Sequence, residues 1–141
     1  VSCEKLFSNK QESKNTKFFV VVSAVIEYDG KILALQRAKD DSHGMWEFPG
    51  GKLEHGETLI SAIQREVIEE TGFEAKIEPE PFHTTTLNTV GNVVIVYYRA
   101  QVNSNKPKLS PREHSDYQWV TKDEFSKLWS WHNKLKVLNH Y

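Results

Sequence analysis

The sequence predicts an α/β protein in which a mixed β-sheet lies between helical layers. Three observations lead there: β-branched and aromatic runs flank one helix-forming segment on both sides, that segment carries an apolar stripe to bury, and two shorter helical stretches close the chain. A chain of 141 residues suits one domain with a single core, placed here at residues 17–141 behind a polar leader, residues 1–16.

In chain order, FFVVVSAVIEY at 18–28 reads as a strand. Asp29-Gly30 follows, and a second apolar run at 32–35 completes a hairpin pattern. Runs at 84–89 and 93–102 predict two more strands around Gly91-Asn92, and 117–120 a short one. Between them NSNKPKLSPREHSD, residues 103–116, has the prolines and small polar residues of an exposed loop. Helices are expected at 123–129 and 134–138, the second anchored by Leu135 and Leu138. No internal repeat interrupts this order.

Composition excludes several function classes. A net charge of −1 offers no basic field for nucleic acid polymer. The single cysteine, Cys3, has no intrachain partner, which rules out an internal disulfide and agrees with a reducing compartment. No apolar run approaches the roughly 18 residues that span a bilayer, and the leader lacks the apolar core of a signal peptide, so cytoplasm is the expected location. The six histidines include no H-x3-H pair to bind zinc. Acyl-transfer elbows and Gly-rich phosphate loops are absent as well.

Residues 51–73, GKLEHGETLISAIQREVIEETGF, hold the main functional signal. Thr58 is placed to cap a helix, residues 59–71 contain neither Gly nor Pro, and Gly72 is placed to end it. Ile60, Ile63 and Val67 form the apolar stripe. Glu66, Glu69 and Glu70, at i, i+3 and i+4, share a neighbouring face, where each like-charge pair costs an isolated helix roughly 0.2–0.5 kcal/mol. Such a face is either solvated and partly neutralised by Arg65, or built for a hard cation that prefers oxygen ligands and joins carboxylates to phosphates.

The same segment reads G-x5-E-x7-R-E-U-x-E-E-x-G-U, with U apolar, carried by Gly51, Glu57, Arg65, Glu66, Val67, Glu69, Glu70, Gly72 and Phe73. This resembles the Nudix box at every defining position. Seven fixed identities make a chance match on the order of one in a billion per start site. The resemblance implies a Nudix-type α/β/α sandwich with a mixed central β-sheet, and metal-assisted hydrolysis of a pyrophosphate bond in a nucleoside diphosphate linked to another group.

By the same resemblance Glu66, Glu69 and Glu70 are expected to hold Mg2+, with Mn2+ as a substitute. Glu57 would complete the shell directly or through water. The carbonyl of Gly50, the first glycine of Trp46-Glu47-Phe48-Pro49-Gly50-Gly51, would join it. Arg65 is expected to orient a box glutamate by salt bridge. The general base is a box glutamate or one from a distant loop, which nominates Glu66 and Glu113.

QRAKDDSHGMWEFPGG is similar to the corresponding part of MutT-type nucleoside triphosphate pyrophosphohydrolases. That likeness assigns Arg37 to substrate phosphate, Phe48 to the base pocket and Asn133 to base recognition. A surface charge, core packing and a helix N-cap are the respective structural alternatives. Trp129, Trp131 and His132 stand as stacking partners or as packing residues. The expected substrate is a nucleoside triphosphate, oxidised forms included, taken up by a monomer or homodimer. ADP-ribose or dinucleoside polyphosphate hydrolysis is the alternative within the same chemistry, disfavoured by Thr89-Val90-Gly91 where such enzymes carry a proline or tyrosine. A catalytically silent nucleotide-binding module is the alternative outside it.

Overall fold

A computed structural model describes residues 17–39, 42–87, 92–131 and 133–141. The leader with Cys3, the Thr89-Val90-Gly91 segment and His132 lie outside the described residues. The strands are β1 (Phe18–Tyr28), β2 (Lys31–Arg37), β3 (Trp46–Glu47), β4 (Gly50–Lys52), β5 (Lys76–Ile77), β6 (His83–Leu87), β7 (Asn92–Gln101) and β8 (His114–Val120). The helices are α1 (Leu59–Thr71), α2 (Lys122–Ser126) and α3 (Lys134–His140).

Strand β1 organises the sheet. It runs parallel to β7 from Phe18 opposite Asn92 to Glu27 opposite Gln101. Its other edge is divided: Val21 to Ser23 pair antiparallel with β4, and Glu27 and Tyr28 pair antiparallel with β2 across the Asp29-Gly30 turn. Beyond β2 lie β3 and β8, and β5 and β6 pair antiparallel with β7. The sheet is therefore mixed, as the sequence predicts.

A strand buried on both faces needs apolar residues in both phases of its alternation. Val22, Ala24 and Ile26 of β1 point to one cluster, with Ala62, Ile63 and Val67 of α1. Val25 points to the other, with Phe125 of α2 and Leu138 of α3. Helices thus cover both faces of the sheet, the α/β/α arrangement. Among the described residues no helix is long and apolar enough to cross a membrane.

Helix α1 begins and ends where its sequence dictates. Thr58 Oγ1 accepts from the Ser61 N–H at 3.1 Å and Ser61 Oγ accepts from the Thr58 N–H at 3.0 Å, closing a capping box. Gly72 ends the helix with φ 73°, and its N–H donates to Ile68 O.

Other expectations need correction. Leu135 is 53 % exposed, and α3 is anchored by Val137 and Leu138. Residues 103–116 are not an exposed loop throughout, because the Lys108 N–H donates to Thr71 O at 2.7 Å, Leu109 packs on the first cluster, and β8 already begins at His114. The short strands β3, β4 and β5 have too few residues to show a period.

A Cβ at Gly72 would stand 3.2 Å from Lys108 Cβ, at a backbone conformation that disfavours side chains. Gly72→Ala is expected to lower the unfolding free energy by about 1–2 kcal/mol, measured by urea denaturation. A variant as stable as wild type would remove the left-handed cap from the account.

Candidate active site

Arg65 gathers four of the five glutamates of residues 51–73, Glu54 among them at 3.7 Å. Its Nε and Nη2 donate to the two Glu57 oxygens at 2.6 and 2.9 Å, and Nη2 also to Lys52 O at 3.1 Å. Nη1 donates to Glu66 Oε1 at 2.9 Å and to Glu69 Oε2 at 3.3 Å. The hydrogen bonds from Arg65, then the Glu54 N–H, hold the Glu57 carboxyl below its ordinary range. The Glu57 bond, ahead of Glu66, raises the Arg65 guanidinium in turn.

One turn apart on α1, Glu66 and Glu70 face β4. Gly51 makes room for the first: a Cβ there would lie 2.3 Å from Glu66 Oε1. Gly50 holds the second, its N–H donating to Glu70 Oε1 at 2.8 Å. Glu70 is 5 % exposed. Burial pushes its carboxyl up to about 9; the Gly50 N–H offsets part of this, and repulsion from Glu66, Glu47 and Glu113 adds to it. Burial raises Glu66 too, against the pull of Arg65.

These groups border a cleft of about 980 Å³. Of the sequence-nominated residues, Gly50, Arg65, Glu66, Glu69, Glu70, Glu113, Arg37, Phe48 and Asn133 all line it. Glu57 does not; both its oxygens accept from Arg65, which does. Glu69 is the most exposed of the helix carboxylates, at 57 % of its side chain. Glu113 reaches the cleft from the loop before β8 and pairs with Lys39 at 2.9 Å.

The structural alternatives can now be weighed against geometry. Phe48 stacks on Phe125 with ring centroids 4.6 Å apart, so it packs and lines the cleft at once. Asn133 occupies the N-cap position of α3, yet its side chain makes no capping bond. Its Nδ2 donates instead to Tyr97 Oη at 3.4 Å. Arg37 is partly buried, with Nη1 3.0 Å from Glu47 Oε1.

Sequence reasoning missed Glu47, His114 and Tyr97. Glu47 had one signal, an acidic residue alternating with Trp46 and Phe48 in a strand end. His114 had none, lying in a segment without periodicity.

The NUDIX domain profile matches residues 17–141. The chain belongs to the Nudix family. Among its relatives is the CTP pyrophosphohydrolase of Escherichia coli K12, 37 % identical over 109 residues that make up 77 % of this chain and 79 % of that protein. A MutT-like protein of Streptomyces ambofaciens is 35 % identical over 107 residues, 76 % of this chain and 66 % of that protein. The crystal structure of a MutT Nudix hydrolase from Burkholderia pseudomallei superposes with a TM-score of 0.75 at 26 % identity, covering 88 % of this chain and 98 % of that one. This Nudix protein is accordingly a pyrophosphohydrolase.

Nudix enzymes generally use divalent metal ions, and the donor chemistry here suits one. Glu66, Glu69, Glu70 and the Gly50 carbonyl offer only oxygen, the ligand that Mg2+-like ions prefer. The missing Cβ of Gly51 gives the Glu66 carboxylate its place against β4. Among the described residues no three carboxylate, imidazole or thiol groups are already gathered around one ion position. Arg65 and the Gly50 N–H occupy oxygens that an ion would take.

Between pH 4.5, the ordinary carboxyl value, and about 9, the folded metal-free protein keeps a Glu70 proton that the unfolded chain has released. Its stability therefore falls as pH rises through that window, by at most about 1.4 kcal/mol per pH unit for one proton. Thermal unfolding in EDTA across a pH series should show this slope, and Glu70→Gln should flatten it. Parallel slopes in the two proteins would contradict the burial-driven shift.

Proposed function

We propose that this Nudix pyrophosphohydrolase hydrolyses a nucleoside triphosphate, oxidised forms included, to the monophosphate and pyrophosphate in the presence of Mg2+. The observation that carries the reading is the joining of two chemistries in one cleft: an acidic floor of Glu66, Glu69 and Glu70, and an aromatic and amide wall of Phe48, Tyr97 and Asn133. Its volume of about 980 Å³ is at the upper end of what small-ligand sites offer, about 300–1,000 Å³. The relative named for CTP supports a triphosphate. Cytoplasmic nucleotide pools are the proposed setting, with Mn2+ an acceptable substitute ion.

Glu66, Glu69, Glu70 and the Gly50 carbonyl would hold the ion, with Glu57 acting through Arg65. Bound there, Mg2+ supplies charge neutralisation for the phosphates and lowers the pKa of a coordinated water. Water adds its oxygen to one phosphorus of the anhydride linkage, the bond to the bridging oxygen breaks, and the water proton passes to a carboxylate. Glu66 and Glu113 both border the cleft and are the two acceptors proposed. Arg37 receives substrate phosphate. Asn133, whose amide both donates and accepts, reads the base edge beside Tyr97.

Incubation with Mg2+ and a panel of normal and oxidised nucleoside triphosphates, ADP-ribose and dinucleoside polyphosphates should yield pyrophosphate from one favoured triphosphate, and EDTA should abolish it. Release of orthophosphate, or turnover of ADP-ribose alone, would reject the triphosphate reading. Glu70→Gln is expected to lower kcat at least about 100-fold with the fold intact; near wild-type turnover would take Glu70 out of the ion site. Asn133→Ala should change discrimination among bases more than turnover of the best nucleotide, and equal losses on every nucleotide would defeat its assignment.

A further inference from the structure

Glu47 sits at the end of a two-residue strand, yet three side chains converge on its carboxylate. Arg37 Nη1 donates to both oxygens at 3.0 and 3.2 Å. His114 Nε2 lies 2.8 Å from Oε2, and Trp131 Nε1 donates to Oε1 at 3.5 Å. Burial alone would raise the Glu47 carboxyl, but the His114 hydrogen bond and the Arg37 charge outweigh it and hold the group below its ordinary value. The carboxylate is thus kept charged at the edge of an already acidic cleft.

His114 is the innermost member of this chain. It is 1 % exposed, and its Nδ1 has no hydrogen-bond partner. A buried polar atom without a partner is costly, so the contact that Nε2 makes must offset that loss for the fold to retain an imidazole here. The backbone brings the members together. Arg37 and His114 face each other across β2 and β8, beside an irregularity in register, while β3 brings Glu47 up on β2.

The consequence falls on Arg37. Its Nη1 is held by Glu47, its Nε lies 2.5 Å from Ser42 Oγ, and the Trp131 ring centre is 5.7 Å from its Cζ. Contacts on two of its nitrogens fix the plane of a guanidinium, whose usefulness for phosphate depends on a rigid fork of donors. Arg37, Glu47 and Trp131 all line the cleft that contains Glu66, Glu69 and Glu70.

We infer that His114 and Glu47 are positioning residues, which hold the Arg37 guanidinium pre-oriented at the phosphate end of the cleft. The inference rests on the nucleotide reading above and deepens it. A purely structural ion pair would differ in its kinetic signature. Pre-orientation of a group that binds phosphate alike in ground and transition states acts on KM, whereas general distortion at His114 would displace its neighbour Glu113 and act on kcat.

The test compares wild type with His114→Leu, His114→Gln, Glu47→Gln, Arg37→Ala and the His114→Leu/Arg37→Ala pair on the best nucleotide of the panel. Pyrophosphate inhibition is measured alongside. In His114→Leu, KM and the inhibition constant for pyrophosphate should both rise about tenfold, the loss of one charge-assisted contact, with kcat within about threefold. His114→Gln, whose amide can donate where Nε2 stands, should recover most of the affinity. In the Arg37→Ala background the leucine substitution should add nothing further. If circular dichroism finds His114→Leu unfolded, Glu47→Gln must give the same split between KM and kcat. A fall in kcat at unchanged KM, or an undiminished effect in the Arg37→Ala background, overturns the inference while leaving the nucleotide reading intact. A wild type that turns over no nucleotide overturns that reading and this inference with it.

Discussion

Glu54, Glu57, Glu66 and Glu69 would repel one another without the Arg65 guanidinium, and much of the site's geometry is set by how that single group divides its donors. It spans three pieces of chain: the Lys52 carbonyl at the end of β4, Glu57 in the loop, and Glu66 and Glu69 on α1. Exposed ion pairs contribute little to stability taken singly. The value of this network lies in direction. Glu57 is bound through both oxygens, Glu66 through one only, and Glu70 accepts instead from the backbone of Gly50.

That backbone is where it is because β1 changes partner along one edge. Its first half pairs with β4 and its second with β2, so the Gly50-Gly51 pair is laid against Val22 and Ser23 under α1. Gly50 could not carry a side chain there, and a side chain on Gly51 would displace the Glu66 carboxylate. A Cβ on Gly50 would strike the Val22 carbonyl at 2.2 Å, and one on Gly51 would strike the Glu66 carboxylate. The sheet and the acidic floor are thus one construction.

The parts legible in the sequence are those whose cause is local. Helix α1 was readable end to end because its cap, apolar stripe and terminator all lie within residues 58–72, and β1 because burial on both faces demands an unbroken apolar run. Long-range pairings left no such trace. Glu47 and His114 are 67 positions apart, and neither residue's neighbours suggest the other. Spacing likewise could not separate Leu135 from Val137 as the α3 anchor, since a helix of seven residues is too short to define a face without its packing partner. Asn133 shows the limit from the other side: the cap position was readable, but the direction of the amide depends on Tyr97 across the cleft.

The depth of Glu70 constrains how any cation could be taken up. A carboxyl at 5 % exposure, with Glu66, Glu47 and Glu113 as neighbours, is costly to ionise, and the Gly50 N–H offsets only part of that cost. A cation at the proposed site would favour the ionised carboxyl, so its uptake would be linked to proton release. The phosphates of the proposed substrate bring further negative charge to the same cleft, so metal and nucleotide favour each other's presence through a shared electrostatic deficit. Arg37 pairs with Glu47 at the cleft lining. In the proposed reading the acidic floor holds the ion and the Arg37 guanidinium receives phosphate.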